Sequence, residues 1–162
     1  MSNQEESRRP NYVRAAPGVR DAMLHLHEEL GRAGLENALL DLVYLRASQI
    51  NGCAFCIDMH WKDLRAAGES EPRLYMLNAW RESAQYTARE RAALAWTEAV
   101  TLVTEGRVPD EVYRAAHEQF SDAELAWLTL AVVAINGWNR LNVAFRMPSG
   151  HYRPAARGGG GA

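Results

Sequence analysis

The segment "SDAELAWLTLAVVAINGWNRLNVAF", residues 121–145, decides the fold class of this 162-residue chain. Ser121 and Glu124 have the spacing of a capping box, in which a hydroxyl and a carboxylate satisfy the first backbone N–H groups of a helix. Residues 125–135 are apolar on nearly every side of such a helix, which is typical of a buried element. The segment therefore predicts a long central helix from Asp122 to about Phe145, ended by Pro148.

Helical signals recur along the rest of the chain, whereas alternating β-branched runs are nearly absent. Thr87 and Glu90 form a second capping box, and Gly68 is typical of the left-handed residue that ends a helix. The sequence predicts an all-α bundle of about six to seven helices. The others are expected at residues 18–33 and 35–49, from the cysteines to residue 67, and from starts near Ser70, Thr87 and Pro109.

The terminal segments differ in composition from the body of the chain. The first fifteen residues are mostly polar, and the last twelve, "HYRPAARGGGGA", are rich in glycine. Such segments bury too little apolar surface to order themselves. The sequence therefore predicts a flexible arm over 1–15, one helical domain over 16–150 and a flexible tail over 151–162.

Charge and hydropathy exclude several classes of partner. The net charge is −2, so the chain lacks the basic surplus expected of a protein that binds nucleic acid. The longest apolar run is about half a membrane span, and no signal peptide is recognisable. We therefore expect a cytoplasmic protein without a membrane partner. In that reducing compartment, two close cysteines indicate a redox-active, metal-binding or buried pair.

Both cysteines of the chain lie in "NGCAFCIDMH", residues 51–60. If Asn51 and Gly52 turn the chain into a helix, Cys53, Cys56 and His60 fall on one face of it. The partial positive charge of a helix N-terminus favours a thiolate, and a nearby imidazole can accept its proton. Such a pair can cycle through a sulfenic acid and a disulfide.

Other roles for the same residues stay open. Small buried cysteines and surface-bonded histidines are common in helical proteins. A zinc site would need Asp58 or Asp41 as a fourth ligand, although ligands on one helix face rarely close a tetrahedral site. A thioredoxin-like role would require a βαβ unit, which the helical pattern does not predict.

The segment "DLVYLRASQINGCAFCIDMH", residues 41–60, resembles the core motif of the alkylhydroperoxidase D-like (AhpD-like) branch of the carboxymuconolactone decarboxylase superfamily. That motif has an acidic residue, about a dozen positions, then C-x-x-C and a histidine four residues on. The segments "ERAALAWTEAVT" (90–101) and "INGWNRLNVAFRMP" (135–148) resemble later helices of the same family. The resemblance covers roughly residues 10–150.

The resemblance implies an all-helical fold, assembly into a trimer or hexamer, and peroxidase activity without a metal or other cofactor. By position, Cys56 resembles the peroxidatic cysteine and Cys53 the resolving one, which also meets the reductant. His60 resembles the proton acceptor, and Asp41 the acidic relay residue. The implied partners are a hydroperoxide substrate and an external dithiol, of the lipoyl type in the best-known members.

The chain departs from the family pattern at two positions. The usual glutamate is Asp41, one methylene shorter, so that a bridging water is expected between its carboxylate and His60. Phe55 stands between the cysteines where the founding peroxidases have a histidine. The sequence predicts a thiol-dependent peroxidase; the alternatives are a noncatalytic redox sensor or scaffold that uses the same thiols, and a carboxymuconolactone decarboxylase-type enzyme.

Polar residues also interrupt the long apolar helix near its end, at Asn136, Asn139, Arg140 and Asn142. Buried polar groups need hydrogen-bond partners, and we expect a subunit contact to supply them; the cysteine helix or a lined cavity are the alternatives. His25 and His27, two residues apart on the first helix, are expected to be surface histidines.

Overall fold

The computed structural model describes residues 9–155, which form an all-α fold without strands in that range. The seven predicted helices are all present, together with two short ones at residues 12–15 and 103–106 and one turn of 3₁₀-helix at Leu77–Ala79. None of these helices is long and apolar enough to cross a bilayer. The α-helices are α1 Tyr12–Ala15, α2 Pro17–Leu30, α3 Asn37–Ile50, α4 Ala54–Ala66, α5 Glu71–Tyr75, α6 Ala88–Thr101, α7 Val103–Gly106, α8 Asp110–His117 and α9 Asp122–Ala144.

Both predicted capping boxes are confirmed at the starts of α6 and α9. The hydroxyl of Ser121 accepts from the backbone N–H of Glu124, and the carboxylate of Glu124 accepts in return from the N–H of Ser121. Thr87 and Glu90 bond in the same way. Because each pair satisfies two orphan donors, the position of both helix starts is fixed locally.

Helix α9 is buried as predicted, and α3 proves equally central. Helix α9 packs against α2, α3, α4, α6 and α8, while α3 packs against α4, α6 and α9. One face of α3, with Val43 and Ala47, joins the larger apolar cluster around α9. Another face, with Leu42 and Leu45, joins a second cluster with α4, α5 and α6. Helix α3 therefore links both halves of the core. Burial of each of its leucines contributes roughly 1.5–3 kcal/mol to the stability of the fold.

The described parts of the predicted arm and tail contact the domain. In residues 9–15, the guanidinium of Arg9 donates to the carbonyl of Ala144, and Tyr12 packs against Phe145 with ring centroids 5.3 Å apart. Tyr12 thus helps to anchor the described part of the arm against the end of α9. In the tail, the hydroxyl of Tyr152 donates to Asp63 at 2.8 Å. Residues 1–8 and 156–162 lie outside the described residues.

The asparagines at the polar end of α9 find hydrogen-bond partners within the chain, so they do not need the predicted subunit contact to satisfy them. Asn139 donates to Ser48 Oγ at 3.0 Å. The amide of Asn51 donates to Asn139 Oδ1 at 2.9 Å and to Asn136 Oδ1 at 3.0 Å. These bonds satisfy polar groups in a buried position and tie α9 to the turn that precedes the cysteines.

Candidate active site

The cysteine pair is positioned by the turn between α3 and α4. Gly52 has a φ of +64°, which glycine adopts without strain, and the backbone N–H of Cys53 donates to the carbonyl of Ser48 at 3.0 Å. Cys53 then serves as the N-cap of α4, and its sulfur accepts from the backbone N–H of Cys56 at 3.3 Å. The predicted turn into a helix at the cysteines is therefore confirmed.

Cys53 and Cys56 form a disulfide, with their Cα atoms 5.3 Å apart. The structure thus shows the oxidised form of the pair. The two residues are only 1% and 0% exposed. They differ in their surroundings, because Cys56 lines a cavity and Cys53 is not among its lining residues. Of the two sulfurs, that of Cys56 is the one placed to meet a molecule in this cavity.

The cavity has a volume of about 410 Å³ and is walled by α1, α2, α3, α4 and α9. Most of its lining surface is apolar, although about half of the lining residues carry a polar group, and this combination suits a small-molecule site. The apolar lining residues are Val13, Leu24, Phe55, Met59, Ala134, Ile135, Trp138 and Met147. The polar and charged lining residues, tyrosines included, are Tyr12, Arg20, His27, Asp41, Tyr44, His60, Asp63 and Asn142.

His60 lies one turn after Cys56 on α4 and lines the same cavity. It is only 7% exposed, and neither ring nitrogen has a hydrogen-bond partner among residues 9–155. Desolvation by burial, with a smaller contribution from His27, lowers the pKa of His60 to about 3. The imidazole is therefore neutral near pH 7, and one of its nitrogens carries a lone pair that can accept a proton.

Asp41 reaches the cavity from α3, so the cavity joins it to Cys56 and His60 across two helices. Its carboxylate adds to the effect of burial in raising the pKa of Tyr44. It makes a smaller contribution, after burial and the bond to Asp63, to raising the pKa of Tyr152 to about 12. Three of the four predicted site residues thus line one cavity. The fourth, Cys53, is joined to one of them, Cys56, by the disulfide.

Sequence reasoning did not assign Asn142 and Tyr12 to the site. The Nδ2 atom of Asn142 donates to the sulfur of Cys56 at 3.3 Å. The hydroxyl of Tyr12 donates to Oδ1 of the same amide at 3.0 Å, which orients the N–H group toward the sulfur. The polar break in α9 was the signal for Asn142, whereas no local pattern pointed to Tyr12.

Asn142→Leu is expected to slow alkylation of the reduced Cys56 by roughly 10- to 100-fold. A hydrogen bond to a charged acceptor contributes about 1.5–3 kcal/mol, and 1.4 kcal/mol corresponds to a factor of ten in the thiolate population. The measurement is the rate of reaction with iodoacetamide at pH 7 in a Cys53→Ser background. Asn136→Leu, on the same helix but bonded to Thr101 and Asn51, is the matched control. Equal slowing in both variants would contradict the prediction.

His25 and His27 are both exposed, as predicted, although His27 also lines the cavity.

The zinc alternative requires several ligand side chains that converge on one point. Within residues 9–155, no group of three or more His, Cys, Asp and Glu side chains is arranged to hold a metal ion.

The fold and site define a class of all-α proteins that hold a C-x-x-C pair at the start of a helix beside a buried histidine. Residues 17–99 match the carboxymuconolactone decarboxylase family, which is more than half of the chain. The chain is 39% identical over 138 residues to the uncharacterized protein YdfG of Bacillus subtilis (strain 168), with 85% of this chain and 94% of YdfG covered. The protein therefore belongs to the carboxymuconolactone decarboxylase family.

Solved structures show that it is an AhpD-like member. A protein of unknown function from Agrobacterium tumefaciens, proposed to be the antioxidant defence protein AhpD, is 42% identical with a TM-score of 0.86, covering 90% of this chain and 100% of that one. An uncharacterized peroxidase-related protein from Ralstonia eutropha JMP134, described as an alkylhydroperoxidase AhpD core, shares the fold at 22% identity, with a TM-score of 0.72. There, 86% of this chain and 74% of that one are covered.

Proposed function

We propose that this protein is a thiol-dependent peroxidase that reduces organic hydroperoxides. The observation that carries the proposal is that Cys56, which forms a disulfide with Cys53, shares one cavity with His60 and Asp41. The similarity to proteins described as peroxidase-related and as an antioxidant defence protein supports it. The cavity supplies room for a substrate, and the three side chains supply a nucleophile and a route for its proton.

In the proposed first step, the reduced Cys56 thiol transfers its proton to the neutral imidazole of His60. The thiolate then attacks the terminal oxygen of the hydroperoxide, the O–O bond breaks, and Cys56 becomes a sulfenic acid. The leaving alkoxide takes up a proton and departs as an alcohol. Because burial opposes a charged His60, the imidazole passes this proton on rather than keeping it. Asp41 acts as the acidic relay residue in this proposal.

In the second step, the Cys53 thiol condenses with the sulfenic acid, which forms the disulfide and releases water. The bond formed in this step would be the Cys53–Cys56 disulfide of the structure. An external dithiol of the lipoyl type then reduces it by exchange. The resemblance assigns this contact to Cys53, but Cys53 is buried in the structure. A reductant that attacks Cys53 therefore requires the first turn of α4 to open.

The partners and setting of this activity belong to the same proposal. They are a hydroperoxide substrate, a dithiol reductant, assembly into a trimer or hexamer, and a place in the cytoplasm. No metal and no organic cofactor takes part in the proposed cycle, because the two thiols carry both electrons.

Steady-state peroxide consumption tests the proposal. With tert-butyl hydroperoxide and excess dihydrolipoamide, each subunit is expected to consume well over about ten equivalents, because exchange returns the disulfide to thiols. Without the dithiol, consumption should stop near one equivalent. If consumption also stops near one equivalent with the dithiol present, the protein is a redox sensor and the peroxidase proposal is wrong.

A further inference from the structure

Tyr44 occupies an unusual position in the cavity. It lies on α3, is only 4% exposed, and lines the same cavity as Cys56. Its ring stands between two imidazoles, with centroids 5.3 Å from His60 and 5.8 Å from His27. No role in the proposed cycle has been given to this side chain.

The Tyr44 hydroxyl has no hydrogen-bond partner among residues 9–155. Folded proteins pair nearly all buried hydroxyls, because an unpaired one loses its bonds to water without replacement. In the described part of the chain, the other buried side-chain atoms in this condition are the two ring nitrogens of His60. All three atoms belong to residues that line one cavity with Cys56, which points to a polar ligand at this place.

The hydroxyl of Tyr44 is suited to donate a hydrogen bond to a ligand. Burial, and to a smaller extent the carboxylate of Asp41, raises the pKa of its hydroxyl well above the usual range. The hydroxyl therefore keeps its proton near neutral pH and can donate it to a hydrogen bond. By contrast, the hydroxyl of Tyr12 already donates to the amide oxygen of Asn142, and the amide N–H of Asn142 donates to the sulfur of Cys56.

We infer that Tyr44 is a catalytic residue, whose hydroxyl donates a hydrogen bond to the oxygen of the hydroperoxide that leaves as the alkoxide. This inference rests on the proposed peroxidase function. When the Cys56 thiolate attacks the terminal oxygen, the electron pair of the O–O bond moves to the inner oxygen, and negative charge develops there. Tyr44 stabilises that charge, and the proton that His60 took from the thiol then neutralises the alkoxide. Such donors act most strongly in a site shielded from water.

The consequence is a dependence on the leaving group. An alkyl hydroperoxide releases a strongly basic alkoxide, which needs a donor as the O–O bond breaks. A peracid releases a weakly basic carboxylate, which does not. Removing the Tyr44 hydroxyl should therefore slow the reaction with the first substrate and leave the second nearly unchanged.

The experiment mixes reduced wild type and reduced Tyr44→Phe with tert-butyl hydroperoxide or with peracetic acid, and follows disulfide formation in a single turnover. No reductant is present during the reaction, so the observed rate of disulfide formation does not include reduction of the disulfide. With tert-butyl hydroperoxide the variant is expected to react about 100-fold more slowly, as found when one donor to a developing oxyanion is removed. With peracetic acid the two proteins should agree within about threefold.

Two controls separate this role from a structural one. Alkylation of Tyr44→Phe by iodoacetamide and its melting temperature should match the wild type, because the hydroxyl has no partner to lose. Tyr86→Phe loses a hydroxyl bonded to the carbonyl of Arg73, away from the cavity, and should react like the wild type. Equal rates for Tyr44→Phe and wild type with both oxidants, or equal slowing with both, would overturn the assignment of Tyr44. A wild type that reacts no faster than a free thiol would instead overturn the proposed function, and the assignment with it.

Discussion

The Cys56→Ser variant loses at least about 1000-fold in peroxide consumption and forms no disulfide, if the proposed order of attack is correct. A serine hydroxyl stays protonated near neutral pH and is a far weaker nucleophile than a thiolate. The remaining Cys53 is buried and does not line the cavity, so it cannot replace the missing sulfur there. The measurement is steady-state consumption of tert-butyl hydroperoxide with dihydrolipoamide as the reductant.

The Cys53→Ser variant is the matched control, because it keeps the sulfur that lines the cavity. Without a dithiol it should consume about one equivalent and stop at the sulfenic acid, since the chain then offers no second thiol to condense with it. A sulfenic-acid trap such as dimedone should then label Cys56. If Cys53→Ser is inert and Cys56→Ser reacts, the order of attack is reversed. An activity on a lactone acid that survives Cys56→Ser would instead favour a decarboxylase-type enzyme.

The oxidised protein is expected to lose several kcal/mol of stability as the pH falls from about 6.5 to about 3, owing to His60. In the unfolded chain a histidine has a pKa near 6.5, whereas burial lowers the pKa of His60 to about 3 in the folded protein. Between these values the unfolded state binds one more proton, so acid favours unfolding. The contribution is complete above about pH 6.5 and falls by about 1.4 kcal/mol for each pH unit below it.

Denaturant unfolding of wild type and His60→Leu at several pH values between 7 and 4 measures this effect. Carboxyls also contribute to acid unfolding: the backbone N–H of Ser121, followed by Arg89, lowers the pKa of Glu124 to about 2. Such groups are present in both proteins, so the difference in slope reports on His60. Equal slopes for wild type and His60→Leu would contradict the prediction.

The helices could be predicted from sequence because their signals are local. A capping box lies within four residues, and Gly68 adopts the predicted left-handed conformation, with φ of +92°. Helices of four residues such as α1 and α7 carry no comparable periodicity, since they contain barely one turn. The shared position of α3 between two apolar clusters also depends on tertiary packing, which periodicity alone does not specify.

The site was predictable to the extent that it is local in sequence. Spacing along one helix placed Cys53, Cys56 and His60 together, and the family motif added Asp41. Asn142 was noticed as a polar residue in a buried helix, but its partner, 86 positions away along the chain, could not be read from spacing. Tyr12 is 130 positions from the amide that it orients. Contacts of this range are fixed by the packing of the helices, so a single sequence does not reveal them.

The contact between the start of the chain and α9 bears on how the protein is handled in the laboratory. A shortened version that begins at the long α2 helix would look safe from composition, but it would delete Tyr12 and Val13 and with them one wall of the cavity. It would also leave the Asn142 amide free to rotate away from Cys56. Reactivity measured on such a trimmed protein would therefore describe a different pocket.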